Sequence, residues 1–223
     1  RGDGAEDHSS AARAPTDAWA RLKRLSAHLP GTIIALVGAT VVAALLKLPV
    51  KRHAHGVWSA PILSPDAIAY FRAIGKVYAD KFSVNDDEEK TAQIEELVLA
   101  EHCKSADYIS AALGREVLKP LFFWLMGGDP EIFHTQLARY TPENTYKTSL
   151  HLDNDSLYTC VINLGGDYEG GGTKIYADGP MMPPVEIPPL PPGYGVFFHG
   201  KCTLHCGLPV TKGARELLVY WCE

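Results

Sequence analysis

Apolar residues are distributed in three different ways along the chain. The first is an unbroken block, Leu29 to Leu46, reading L-P-G-T-I-I-A-L-V-G-A-T-V-V-A-A-L-L, eighteen positions without a charge. As a helix rising about 1.5 Å per residue it nearly crosses a bilayer core of roughly 30 Å. It is readable as a membrane anchor or as a buried core segment; Gly31, Gly38 and the β-branched residues suit the second reading. Basic residues stand on both flanks, with Lys47, Lys51 and Arg52 after the block, so charge sets no orientation.

The second pattern is helical. Ser64-Pro65-Asp66 has the form of a helix start, with a capping hydroxyl, proline in the first turn and an acid behind it. Ile68, Phe71, Ile74 and Val77 then recur at helical spacing. Asn85-Asp86-Asp87-Glu88-Glu89 reads as a second helix start, its acids placed favourably against the helix dipole, and no EF-hand pattern follows to make it a calcium site. The helical reading continues through Ile94, Leu97 and Val98 to Val117–Met126 and stops at Gly127-Gly128.

From Ile132 the period shortens. Phe133–Tyr140, Leu157–Leu164, Thr173–Tyr176, Val185–Ile187, Gly195–His199 and Glu216–Trp221 read as strands separated by Gly, Pro, Asn and Asp turns. Many short strands so punctuated predict a sandwich or jelly roll. Helices first and strands after give an α+β order, with helices bracing one sheet from outside.

Composition adds limits. The 223 residues are 46% hydrophobic and 21% charged, enough for one sizeable domain and a little more. A net charge of −5 speaks against a nucleic-acid partner, which calls for a basic surface. The five cysteines show no C-x-x-C spacing, so no structural zinc site is expected, and their odd number leaves one thiol free in any intramolecular pairing. The expected organisation is residues 1–28 as a disordered leader and short basic helix, 29–50 as the hydrophobic segment, and 57–223 as the folded domain, its strand-rich core spanning about 132–223.

The chemistry gathers at His151-Leu152-Asp153. On an extended strand, residues two apart point the same way, so an imidazole and a carboxylate project side by side while Leu152 faces away into the sheet. Such a triplet alone is a weak signal. A third ligand is sought further on, and His205, fifty-two residues after Asp153, is favoured over His199. Two histidines and one carboxylate leave open positions on a metal, the arrangement suited to non-haem Fe(II). Arg215 stands ten residues past His205, across a Gly/Pro reversal that can return its guanidinium toward the same cavity. A planar, permanent cation is suited to a carboxylate.

These pieces, taken with their neighbours, resemble a known family. In order they are Ala-Arg139-Tyr140-Thr-Pro142, His151-x-Asp153, Thr159, Tyr168-Glu-Gly170-Gly171-Gly172-Thr173, Pro192-Gly193-Tyr-Gly195-Val-Phe-Phe and His205-x-Gly-Leu-Pro-x-Thr-Lys-Gly-x-Arg215. They look like the catalytic domain of the 2-oxoglutarate- and Fe(II)-dependent dioxygenases, in the prolyl 4-hydroxylase and procollagen lysyl hydroxylase group. The resemblance implies a double-stranded β-helix, Fe(II) held by His151, Asp153 and His205, and 2-oxoglutarate as cosubstrate with Arg215 on its distal carboxylate. It further implies Tyr140 lining the cosubstrate pocket, O2 and ascorbate as requirements, and a peptide or protein substrate hydroxylated on proline or lysine.

Three rivals stand beside this reading. The same oxygenase chemistry acts on a small molecule in one. A zinc hydrolase uses the same three ligands in another, although it gives Arg215 no task. The third is a non-catalytic jelly-roll domain that binds metal. Among the remaining polar residues, His53, His55, His102 and His134 read as surface or capping residues. Gly170–Gly172 reads as a tight hairpin beside the metal, since the Lys-Ser/Thr of a phosphate loop is missing. Pro180 to Pro192, with seven prolines, reads as a rigid loop. An anchored protein is expected in the endoplasmic reticulum or Golgi, with a soluble intracellular one as the alternative. The sequon Asn154-Asp155-Ser156 bears on this, because a glycan there crowds the metal mouth. Nothing in the sequence indicates an oligomeric state.

Overall fold

The alternating pattern of the second half becomes antiparallel sheet. The computed structural model describes residues 48–84 and 94–223. The hydrophobic segment 29–46, the leader before it and the acidic start at 85–89 lie outside the described residues. Among those described, no helix is long and apolar enough to cross a membrane.

In chain order the strands are β1 (Lys51–Ala54), β2 (Val57–Pro61), β3 (Ser83–Val84), β4 (Glu95–Val98), β5 (Ile132–Tyr140), β6 (Tyr158–Gly165) and β7 (Tyr168–Gly170). They continue with β8 (Thr173–Tyr176), β9 (Val185–Ile187), β10 (Tyr194–Phe198), β11 (Leu204–Gly207), β12 (Val210–Gly213) and β13 (Arg215–Cys222). Eight form one sheet in the order β1-β2-β10-β6-β13-β5-β4-β3. Three form a small sheet, β11-β8-β9, and β12 pairs with β7. All pairings are antiparallel.

The large sheet is buried on both faces, so its central strands are apolar on both. One face carries Ala138, Tyr140, Leu217 and Val219, which pack with Val210 of β12. Val196 and Phe198 continue it and pack with Ile175 and Ile187 of the small sheet. The opposite face meets the helices: α1 (Pro65–Val77), α2 (Leu99–His102), α3 (Lys104–Leu113) and α4 (Lys119–Met126). There the Ser110 hydroxyl of α3 donates to the Tyr220 hydroxyl at 2.9 Å, and Tyr220 donates to the Ser110 carbonyl at 3.1 Å. Two buried polar groups thereby satisfy each other. Phe122 of α4 meets Phe197 edge-on, ring centroids 5.2 Å apart.

α1 forms as its sequence indicates. Ser64 accepts from the Ala67 N–H, Pro65 opens the first turn and Phe71 is buried. Two expectations are corrected. Ile94, Leu97 and Val98 are not helical: Glu95–Val98 is β4, with Leu97 opposite Leu137 of β5. Apolar residues at 94, 97 and 98 fit helical spacing locally, but the open edge of β5 supplies backbone partners that override it. The strands also do not all follow the helices, for β1 and β2 precede them and extend the large sheet beside β10.

Candidate metal centre

The small sheet places the two histidines. His151 stands outside the regular strands but forms an antiparallel bridge with His205 of β11, each N–H donating to the other's carbonyl at 2.9 Å. Residues directly opposite in such a pair project to the same face, and the rings lie 4.4 Å apart between centroids. Asp153, two residues on, shares that face, and its own N–H donates to the Gly200 carbonyl at 3.2 Å.

The ligand atoms converge. Asp153 Oδ1 is 3.7 Å from His151 Nε2, and Oδ2 is 3.7 Å from His205 Nε2. Those gaps are too long for hydrogen bonds. They are close to the roughly 3–3.5 Å separating two donors held on one ion by bonds of about 2.1 Å. Each histidine uses its other nitrogen the same way: His151 Nδ1 donates to the Ser149 carbonyl at 2.7 Å and His205 Nδ1 to the Thr203 carbonyl at 2.9 Å. A carbonyl only accepts, so Nδ1 carries a proton in each ring, and in the neutral imidazole this leaves the Nε2 lone pair facing the carboxylate. Ligating histidines are commonly fixed in this manner. Burial holds the His205 imidazole below its ordinary pKa, and His151 adds to this against the opposing charge of Asp153. Among the described residues this is the one cluster of three His, Cys, Asp or Glu donors within 4.8 Å of one another. Two neutral imidazoles and one carboxylate fit a divalent cation, and the set leaves room for further ligands.

Residues to which the sequence assigns no role hold this arrangement. The Thr159 hydroxyl donates to Asp153 Oδ2 at 2.6 Å, fixing the carboxylate. Gly200 packs so closely that a β-carbon there would strike the Ser156 carbonyl and come within 3.0 Å of Asp153 Cβ. Thr159 carried a motif match but no assigned role, and Gly200 gave no signal beyond following a strand. Leu152 does turn away from the ligands, but it is 37% exposed instead of packed in the sheet. His199 is outside the cluster, its ring against Tyr158 at 4.8 Å.

Arg215 and Tyr140 lie opposite each other on β13 and β5. Arg215 is buried, with its guanidinium carbon 5.5 Å from the Tyr140 ring centroid. Its Nη1 donates to the Gly172 carbonyl at 2.9 Å, while its Nε is sealed from solvent without a partner. Among the described residues no carboxylate pairs with it. Burial lowers its hold on the proton, against the favourable neighbourhood of Tyr140 and Tyr168. The glycine run makes this possible: Gly171 (φ 76°) brings backbone to where a β-carbon would sit 3.2 Å from Arg215 Cδ. Burial raises the Tyr140 phenol's pKa, opposed by Arg215 and a hydrogen bond with Thr148. Thr148 also accepts the Gly207 N–H at 2.6 Å, two residues beyond His205. The chain from Arg215 through Tyr140 and Thr148 therefore ends on the strand that carries a metal-ligating candidate.

Comparison with known proteins gives the same direction. No family model matches the chain. It is 28% identical over 145 residues to a PKHD-type hydroxylase of Xanthomonas axonopodis pv. citri, covering 65% of this chain and 60% of that protein. The chain thus spans about 60% of the length of the curated relatives it matches. Among solved structures it superposes on a 2OG-Fe(II) oxygenase family oxidoreductase of Burkholderia pseudomallei with a TM-score of 0.60 at 19% identity, covering 83% and 90% of the two chains. A Pseudomonas putida prolyl-4-hydroxylase superposes with a TM-score of 0.57 at 21% identity, covering 83% and 98%. The chain shares the fold of these proteins, and the resemblance read from its motifs holds. The relatives named are bacterial and lend nothing to an endoplasmic-reticulum or Golgi setting; an ascorbate requirement likewise draws no support from them.

Proposed function

We propose that the chain is a 2-oxoglutarate- and Fe(II)-dependent dioxygenase whose two groups of strands form a double-stranded β-helix around the site. The observation that carries this is the buried Arg215 guanidinium without a carboxylate partner, linked through Tyr140 to the strand of His205. An unpaired buried cation is costly, and an anionic cosubstrate removes the cost. His151, Asp153 and His205 would hold the iron, and Arg215 the far carboxylate of 2-oxoglutarate, with Tyr140 walling the pocket.

When bound, Fe(II) supplies an oxidation that side chains alone do not perform. In balance, one 2-oxoglutarate, one O2 and one C–H bond give succinate, CO2 and one C–OH. The chain's own residues position and exclude: Thr159 fixes the Asp153 carboxylate, Ser149 and Thr203 fix the imidazoles, and Phe198 packs on His205, centroids 4.5 Å apart, keeping water from its inner side. A zinc hydrolase would leave Arg215 unexplained.

The substrate proposed is a peptidyl side chain, proline or lysine, since the motif resemblance is to hydroxylases of those residues and PKHD-type hydroxylases and a prolyl-4-hydroxylase are among the similar proteins. The test is incubation with proline-rich and lysine-rich peptides, Fe(II), ascorbate, 2-oxoglutarate and 18O2, followed by mass spectrometry. The expected result is one labelled oxygen on a peptide. Label on a free amino acid or metabolite alone would overturn the peptidyl substrate and keep the chemistry.

A further inference from the structure

On β5, residues two apart share a face, so His134 and Gln136 continue the row of Ala138 and Tyr140 that packs toward β12. Their partners on β13 are Trp221 and Val219, as Leu217 and Arg215 are the partners of Ala138 and Tyr140. This row has two ends. At one, Tyr140 meets Arg215. At the other, Trp221 lies opposite Thr159 of β6, the residue that holds Asp153. His134 and Gln136 therefore stand on the inner wall toward the end where the candidate metal ligands are fixed.

That wall is organised. The His134 ring stacks on Trp221, centroids 5.0 Å apart and planes 23° apart. Its Nε2 is 3.0 Å from Gln136 Oε1. Because the amide oxygen accepts, His134 donates and the Gln136 NH2 is turned away from it. Gln136 is only 3% exposed, and its NH2 has no hydrogen-bond partner among the described residues. The nitrogen is not sealed in as Arg215 Nε is; it keeps accessible surface. Val219, Val161 and Ala138 make the surroundings apolar. An amide donor that keeps accessible surface within an apolar wall can donate to a molecule bound against that wall.

We propose that the Gln136 side-chain amide orients the substrate, donating its NH2 to a neutral amide carbonyl of a molecule lying between the triad and the His134–Trp221 stack. This rests on the oxygenase reading above. A neutral donor in an apolar wall is matched by a neutral acceptor; an anion would draw a cation, as at Arg215. His134 is a positioning residue, setting which way the amide points.

The test uses the full chain, Gln136→Leu and His134→Phe, the second keeping a ring on Trp221 while removing the hydrogen bond. The probe is a set of acetylated, amidated tripeptides Ala-Xaa-Ala spanning the twenty side chains. Binding of 2-oxoglutarate is measured by calorimetry with Mn(II), and oxygen gain on the peptides by mass spectrometry. The expected result is unchanged 2-oxoglutarate affinity in both variants, with KM for the modified peptide raised about tenfold or more in Gln136→Leu and less in His134→Phe. Unchanged KM in Gln136→Leu would overturn the inference, as would a parent that binds 2-oxoglutarate and oxidises no tripeptide. A parent that binds no 2-oxoglutarate would instead remove the oxygenase reading, and this inference with it.

Discussion

Replacing Arg215 by methionine separates a cosubstrate anchor from a structural cation, because the two roles predict opposite changes. In the ligand-free fold the substitution removes a charge-assisted bond to the Gly172 carbonyl, about 1.5–3 kcal/mol. It also removes the guanidinium from the Tyr140 face, about 0.5–2 kcal/mol. Against these losses stands the relief of a buried, unpaired charge, several kcal/mol after relaxation, and of an Nε without a partner. The two sides nearly cancel, so the ligand-free variant should melt within a few degrees of the parent or above it. With 2-oxoglutarate the balance changes, since the parent gains a charge-assisted pair that the variant cannot form. Losing one partner of such a buried pair costs about 2–5 kcal/mol, which is about 30-fold to several thousand-fold in affinity. Thermal unfolding without ligand and calorimetric titration of 2-oxoglutarate with Mn(II) present measure both quantities. A variant that loses more than about 3 kcal/mol of stability yet binds 2-oxoglutarate as the parent does would refute the reasoning.

Three further outcomes are expected. Thr159→Val keeps the shape but removes the hydroxyl 2.6 Å from Asp153 Oδ2, and metal affinity by competition with a chelator should fall about 10–100-fold with the circular dichroism spectrum unchanged. Gly200→Ala forces a β-carbon toward the Ser156 carbonyl and Asp153; denaturant unfolding should show a loss of about 1–3 kcal/mol, and a neutral result would mean the loop moves freely. With chelator present, stability should decline as pH falls from 7.5 to 5.5. The buried His205 has its pKa held below the ordinary 6.5, so the unfolded chain takes up more protons there; urea midpoints that rise toward acid would contradict it.

How much was legible follows from where the information lies. Thr173–Tyr176 and Val185–Ile187 have the bounds their alternation indicates, because both are short, bounded by turn residues and half-buried. Ile94, Leu97 and Val98 fit helical spacing over too short a stretch to decide their state, which is set by β5, forty residues away. Of the site, H-x-D shows on the page since the spacing of two is a strand property. The pairing of His151 with His205 does not, for it depends on how two distant segments meet. The inward face of Gln136 and His134 is hidden for the same reason, being set by cross-strand neighbours on β13, whereas the sequence alone reads His134 as a surface or capping residue.

The central claim is that His151, Asp153, His205 and Arg215 together support turnover of 2-oxoglutarate. It is tested most directly by measuring succinate formed from 2-oxoglutarate under Fe(II) and O2, in the parent and in Asp153→Ala. Asp153 is the choice because its two oxygens face both histidines, and the alanine variant leaves the backbone bond from residue 153 to Gly200 in place. The expected result is succinate from the parent, none above background from the variant, and a variant that without metal still unfolds in one cooperative transition, its melting temperature altered only by the loss of the Thr159 bond to the carboxylate. Equal succinate from both proteins would contradict it.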